Sequence, residues 1–118
     1  MKKVKVELPA VPASVEAEFD PPVEAIEPLR FVLPSLTDGL CRQLGDRQQL
    51  CARLRMDLVV DGVPPYEDVR EVRPARPTAD ARVLADLCRR AIGASPPDGP
   101  LRGVRLEAVD VVAASTEQ

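Results

Sequence analysis

Histidine and tryptophan are both absent from this chain of 118 residues, and Phe19, Phe31 and Tyr66 are its only aromatic side chains. Without histidine there is no imidazole to serve as a general base or to activate a serine or cysteine nucleophile. With so few aromatic rings there is no platform on which single-stranded bases could stack, and a core must be built from Leu, Val and Ala. Cysteine is scarce too: Cys41, Cys51 and Cys88 are odd in number and show no C-x-x-C spacing. A structural zinc site would need a fourth ligand, so three free, buried thiols are expected and no metal or other cofactor. Apolar runs reach only a few residues, too short for a transmembrane helix. The opening Met-Lys-Lys-Val-Lys-Val-Glu has no apolar stretch of the kind a signal peptide needs, so a cytoplasmic, nucleoid-associated location is expected. Asparagine is missing, and all lysines fall within residues 2–5. Residues 1–12 therefore read as an N-terminal strand or linker, or as an added start sequence.

What is present suits one ordinary domain. Apolar residues make up 45% and charged residues 30% of the chain, and the net charge is −3. The charge is unevenly spread. Residues 1–40 hold four basic and seven acidic side chains, residues 41–105 twelve and nine, and the tail from 106 none and three. The central region is mildly basic, and every basic residue in it is arginine. Strong phosphate binding needs a larger excess, so any nucleic-acid contact is expected to be weak and salt-sensitive.

Periodicity locates the elements. Val4, Val6 and Leu8 alternate with Lys3, Lys5 and Glu7 as a half-buried strand, ended by Pro9 and Pro12. Val15, Ala17 and Phe19 alternate with Glu16 and Glu18, and Asp20-Pro21-Pro22 is expected to stop that second strand. Pro28 suits a first helical turn, and Leu29, Leu33, Leu36, Leu40 and Leu44 form one apolar stripe. Pro34 should kink this helix or delay its regular start, and Gly45 should end it. Leu50, Ala52, Leu54, Met56 and Leu58 alternate with Cys51, Arg53, Arg55 and Asp57 in the clearest strand. Asp61-Gly62 and Pro64-Pro65 make a turn. Residues 66–73 form a weaker strand of ambiguous facing, bulged or at an edge. Thr78 is the expected N-cap of a second helix, with Asp80 at its positive end. Val83, Leu84, Leu87, Cys88 and Ala91 face its core, and Gly93 ends it. Val104, Leu106 and Ala108 mark a last strand.

The order is β-α-β-β-α-β. Two helices with one apolar stripe each need one sheet face to cover. The expected fold is therefore α+β, a split β-α-β-β-α-β with a four-stranded sheet, both helices on one face, the other face open, and an extra N-terminal strand. The expected domain spans 13–113, with 114–118 a frayed tail. Arg53 and Arg55 alternate with the apolar side of their strand, so they should project from the open face.

Residues 72–108 carry a family resemblance. They run V-R-P-A-R-P-T-A-D-A-R, an amphipathic helix, then P-L-R-G-V-R-L-E-A. With E-F-D-P-P-V ahead of the first helix, this resembles the little finger domain of Y-family translesion DNA polymerases. The ImuB-type subunit of bacterial mutasomes is the version it resembles most. In that family Gly103-Val104-Arg105-Leu106 matches the closing strand, whose arginine contacts the DNA backbone, and Arg73 falls in the matching strand-to-helix passage. The resemblance thus implies a DNA-binding set of Arg73 and Arg105, joined by Arg53 and Arg55 from the facing argument. It implies duplex DNA backbone as a weak ligand and DNA repair by mutagenic lesion bypass under the SOS response as the setting. The implied partners are the palm and thumb domains of a parent protein, a sliding clamp, a RecA-like protein and an error-prone polymerase subunit. Palm-type acidic motifs do not occur, Asp57 and Asp61 read as turn residues, and Ser14, Ser35 and Thr78 have no activating partner, so the chain is not expected to be an enzyme by itself. A module that binds partner proteins rather than DNA is the competing reading. On the bland reading, the strand arginines pair with Glu16, Glu18, Asp57 and Glu107.

Overall fold

The computed structural model describes residues 11–24 and 27–114. The expected N-terminal strand at 4–8 and the tail beyond 114 lie outside the described residues. Six elements follow in order: β1 (Ser14–Val23), α1 (Leu29–Asp46), β2 (Gln49–Val60), β3 (Tyr66–Val72), α2 (Ala81–Ala94) and β4 (Leu101–Ala113). The strands form one antiparallel sheet in the order β1-β4-β2-β3. Each helix thus connects two strands that run in the same direction with a third between them. This is the expected α+β split arrangement.

Leu54, Met56, Leu58 and Val60 of β2 and Val104, Leu106 and Ala108 of β4 form the buried side of the two central strands. Their register is direct: Leu54 lies opposite Ala108, Met56 opposite Leu106 and Leu58 opposite Val104. Leu29, Leu33, Leu36, Leu40 and Leu44 of α1 and Leu84, Cys88 and Ile92 of α2 join the same cluster, so both helices cover one face. The leucine stripe read at spacings of three and four is the helix face that enters the core.

Four local features differ from the sequence reading. First, Asp20-Pro21-Pro22 does not stop β1, which continues to Val23. β1 is an edge strand whose register breaks between Glu18 and Val23, and a proline is tolerated where no ladder donor is required. Second, Gly45 lies inside the last turn of α1. The chain leaves the helix at Gln48, which holds a φ of 56°, while Arg47 N–H donates to the Gln43 and Leu44 carbonyls. Third, Asp80 rather than Thr78 caps α2: its carboxylate accepts from Arg82 N–H at 2.9 Å, and the Thr78 hydroxyl accepts from Asp80 N–H at 3.0 Å. Thr78 itself exchanges backbone hydrogen bonds with Cys51, at 2.8 and 3.0 Å. Fourth, β2 is bulged around Arg53, where its register against β4 shifts twice. Two residues on each strand separate the Cys51–Val111 pair from the Leu54–Ala108 pair, and the alternation reverses across this irregularity, so Cys51 is buried and Leu50 and Ala52 are only half-buried.

Pro34 lies within α1, which runs unbroken from Leu29 to Asp46. The Thr37 hydroxyl, fully buried, donates back to the Leu33 and Pro34 carbonyls. β3 is an edge strand without a bulge, with Val72 turned inward and Val69 exposed on the other face. On the helix side of β3, Arg70 chelates the two oxygens of Asp68 and donates to the Ala91 carbonyl at 2.8 Å, tying the edge strand to the end of α2. Ala113 pairs with Gln49, and Ala114 N–H reaches the Gln48 carbonyl, so hydrogen bonding persists to 114.

Candidate functional site

Strand alternation assigns the side chains of the sheet's open face. β1 contributes Glu16 and Glu18, β2 contributes Arg53, Arg55 and Asp57, β3 contributes Glu67, Val69 and Glu71, and β4 contributes Gly103, Arg105 and Glu107. Three arginines therefore share this face with six carboxylates. The sequence placed Arg53, Arg55 and Arg105 on one open surface, and the sheet brings them there on its two central strands. Arg55 lies opposite Glu107 and Arg105 opposite Asp57, so the two arginines are diagonal neighbours.

Every one of these arginines is held by a carboxylate. Arg105 lies 2.7 Å from Glu107, with Glu16 and Asp57 each at 3.9 Å. Arg55 donates to Asp57 at 2.8 Å, and this bond, more than the charge alone, raises the guanidinium's pKa further. Arg53 donates to Glu71 at 3.1 Å, while its Nε is buried without a partner. The bland pairing read from the sequence thus holds for Glu16, Asp57 and Glu107; Glu71 takes a place the sequence reading gave to no residue.

Asp57 is not a turn residue. It sits in mid-strand with 6% of its surface exposed, beneath Arg55 and Arg105. β2 continues to Val60, and the turn begins at Asp61, where the sequence placed it. Asp61, in that turn, lies 3.7 Å from Arg102 and donates its N–H to the Pro100 carbonyl.

Charge is graded along this face. Where β1 ends and β4 begins, a shallow groove of about 700 Å³ is lined by Glu16, Glu18, Asp20, Asp57, Asp61 and Glu67, with only Arg102 and Arg105 to balance them. At the opposite end, the chain leaves β3 opposite Leu54 and returns at Thr78 opposite Cys51, so residues 73–77 loop out along the same edge of β2. Arg73 and Arg76 are exposed on that loop, near Arg53, and make no ion pair among the described residues. Arg73 is thus off the sheet face but at its basic corner. Arg76 was missed in the sequence, although the repeat in R-P-A-R-P signals it.

Gly103 has a packing role. A Cβ there would lie 3.0 Å from the Ala17 carbonyl oxygen of β1 and would force the two strands apart. The thiols offer no nucleophile. Burial pushes Cys41 up to about 11 and Cys88 up to about 12, and raises Cys51 as well, so thiolate is scarce at neutral pH. Among the described residues no group of three or more His, Cys, Asp or Glu side chains converges as a metal site, and no helix is long and apolar enough to cross a membrane.

Comparison with known proteins adds three findings. Residues 13–118 match a family model described as the impB/mucB/samB family C-terminal domain. A solved structure described as "Complex of beta-clamp processivity factor and little finger domain of PolIV" superposes with a TM-score of 0.67 at 17% identity, over 92% of this chain and 93% of that one. A second, "Dbh Ternary Complex (substrates partially disordered)", gives 0.63 at 10% identity over 86% of this chain and 29% of that one. At such identities the likeness is one of fold. None of the curated proteins matches the sequence.

Proposed function

The chain belongs to the impB/mucB/samB family as its C-terminal domain, the little finger of Y-family polymerases, and on that premise we propose that it is a non-catalytic accessory domain that lays its open sheet face on the duplex DNA backbone. The parent would be a translesion polymerase or its ImuB-like relative, working in mutagenic repair in the cytoplasm. The observation that carries this reading is the convergence of Arg53, Arg55 and Arg105 on the solvent side of the two central strands, with Arg73 at their corner. Guanidinium groups there can donate to phosphate oxygens without reading bases, as a lesion-tolerant grip requires. Six carboxylates on the same face keep the grip weak.

Fluorescence anisotropy with a labelled duplex at low salt tests the proposal. Binding in the micromolar range that is lost on combining Arg53→Glu with Arg105→Glu supports it. Failure to bind at high micromolar protein, or binding indifferent to that double substitution, overturns it.

The acidic groove favours a second reading, that of a protein-interaction module. One solved relative is described in complex with a beta-clamp processivity factor, so a clamp is the first partner to try. Pull-down against a clamp, a RecA-like protein and an error-prone polymerase subunit, all without DNA, separates the two readings.

A further inference from the structure

Two carboxylates hold the central arginines of the open face: Asp57 bonds Arg55 at 2.8 Å, and Glu107 makes the shortest pair to Arg105. The Glu107 carboxylate lies 2.7 Å from Arg105 on its own strand, and its backbone position is directly opposite Arg55 on β2. Its charge also acts weakly on Arg55. Its side chain is only 17% exposed, against 40% for Arg105, so the anion sits low beside a more exposed cation. A carboxylate and a phosphate present guanidinium with similar paired oxygen acceptors.

The geometry points to Glu107 as a built-in anionic competitor that holds the place a backbone phosphate would take on Arg105. This rests on the DNA-backbone reading proposed above and specifies how that contact is regulated. Phosphate reaches Arg105 by exchange, in which the ion pair to Glu107 opens as the pair to phosphate forms. The charge count of the face is nearly unchanged by the exchange, so little affinity is gained from each contact. A domain built this way contributes when its parent already holds the duplex close, and contributes little when free in solution. Glu18 serves as the internal comparison. It lies on the same face opposite Gly103 and makes no ion pair among the described residues.

The test uses the full chain and a fluorescein-labelled 20-base-pair duplex, with anisotropy titrations between about 20 and 150 mM salt. Glu107→Gln is nearly isosteric, and an unchanged thermal midpoint establishes that it folds. Its expected effect is tighter binding by about 3- to 10-fold and a log–log salt slope steeper by about one, the increment for one further phosphate neutralised. Glu18→Gln is expected to change affinity less than 2-fold. Equal gains from Glu107→Gln and Glu18→Gln would reduce the effect to net charge and overturn the competitor role. So would unchanged or weaker binding by Glu107→Gln in a chain whose binding still falls on Arg53→Glu with Arg105→Glu; the DNA reading would survive that result. Absence of binding by both the parent sequence and Glu107→Gln removes the DNA reading and the competitor together.

Discussion

Arg70 shows how much a single side chain can organise. It is 13% exposed, bonded to both oxygens of Asp68 and to the last turn of α2 through the Ala91 carbonyl. A charged hydrogen bond of this kind is worth about 1.5–3 kcal/mol. Arg70→Ala should therefore lower unfolding stability by roughly 2 kcal/mol, read as a shift of the urea midpoint at constant m-value. The same bond holds the Asp68 carboxyl below its usual 3.8. A depressed carboxyl stabilises the fold above its unfolded pKa, and that contribution is lost as pH falls through the folded value. The stability gap between the parent sequence and Asp68→Asn should be full at pH 6 and close below about pH 4.

The three thiols behave in the opposite sense. Desolvation raises Cys88 to about 12 and Cys41 to about 11. A raised thiol pKa stabilises the fold below the unfolded value near 9, and the contribution fades as pH climbs through the folded value. Urea titrations at pH 8 and pH 10.5 should show a loss at the higher pH that shrinks in Cys88→Ala measured against its own pH 8 value. A loss of equal size in that variant would assign the alkaline sensitivity to other groups.

At the level of elements, α1 and β4 each turn on a glycine, for opposite reasons. Gly45 is exposed in the last turn of α1, and an added Cβ meets nothing within 4 Å. Gly45→Ala should stabilise by about 0.5–1 kcal/mol through helix propensity and reduced freedom of the unfolded chain. Gly103 lies opposite Glu18 in the β1–β4 ladder, with 3.0 Å between the ideal Cβ and the Ala17 carbonyl. Gly103→Val should cost roughly 1–3 kcal/mol, an overpacking penalty, and should loosen β1 first. Hydrogen exchange would show this as lost protection at residues 14–18 before any loss in β2. The strand interval G-V-R-L thus needs glycine for assembly and arginine for its exposed face.

For the whole molecule, a net charge of −3 and a graded open face set the scale of any DNA affinity. The three arginines on the sheet bound the number of phosphates that face can neutralise. The salt dependence should therefore have a log–log slope no steeper than about −3, at roughly −0.9 per phosphate. A slope near −6 would require the exposed arginines of the loop and helices, Arg73, Arg76 and Arg82 among them, to carry the contact instead of the sheet. Anisotropy across a salt series decides between the two.

The amino-acid sequence by itself determined the element order, the leucine stripe of α1, part of the inner face of α2 (Leu84 and Cys88, while Val83 is exposed and Ile92 is buried instead), and the inward set Leu54, Met56, Leu58, Val104 and Leu106. These follow from periods of 3.6 and 2 that any neighbouring apolar surface would satisfy. It determined too that Arg53, Arg55 and Arg105 share a face, because alternation alone puts them opposite the core. Only tertiary structure decided what those arginines face. Asp57 is two residues from Arg55 along the strand, but it comes within 3.9 Å of Arg105 only once β2 and β4 are in register, and Glu71 meets Arg53 from a strand whose facing was ambiguous. The bulge that turned Cys51 inward, and the edge position that let β1 run through two prolines, came from pairing as well. Ion pairs and register are relations between distant segments, and a one-dimensional pattern carries the members of a pair without the distance that joins them.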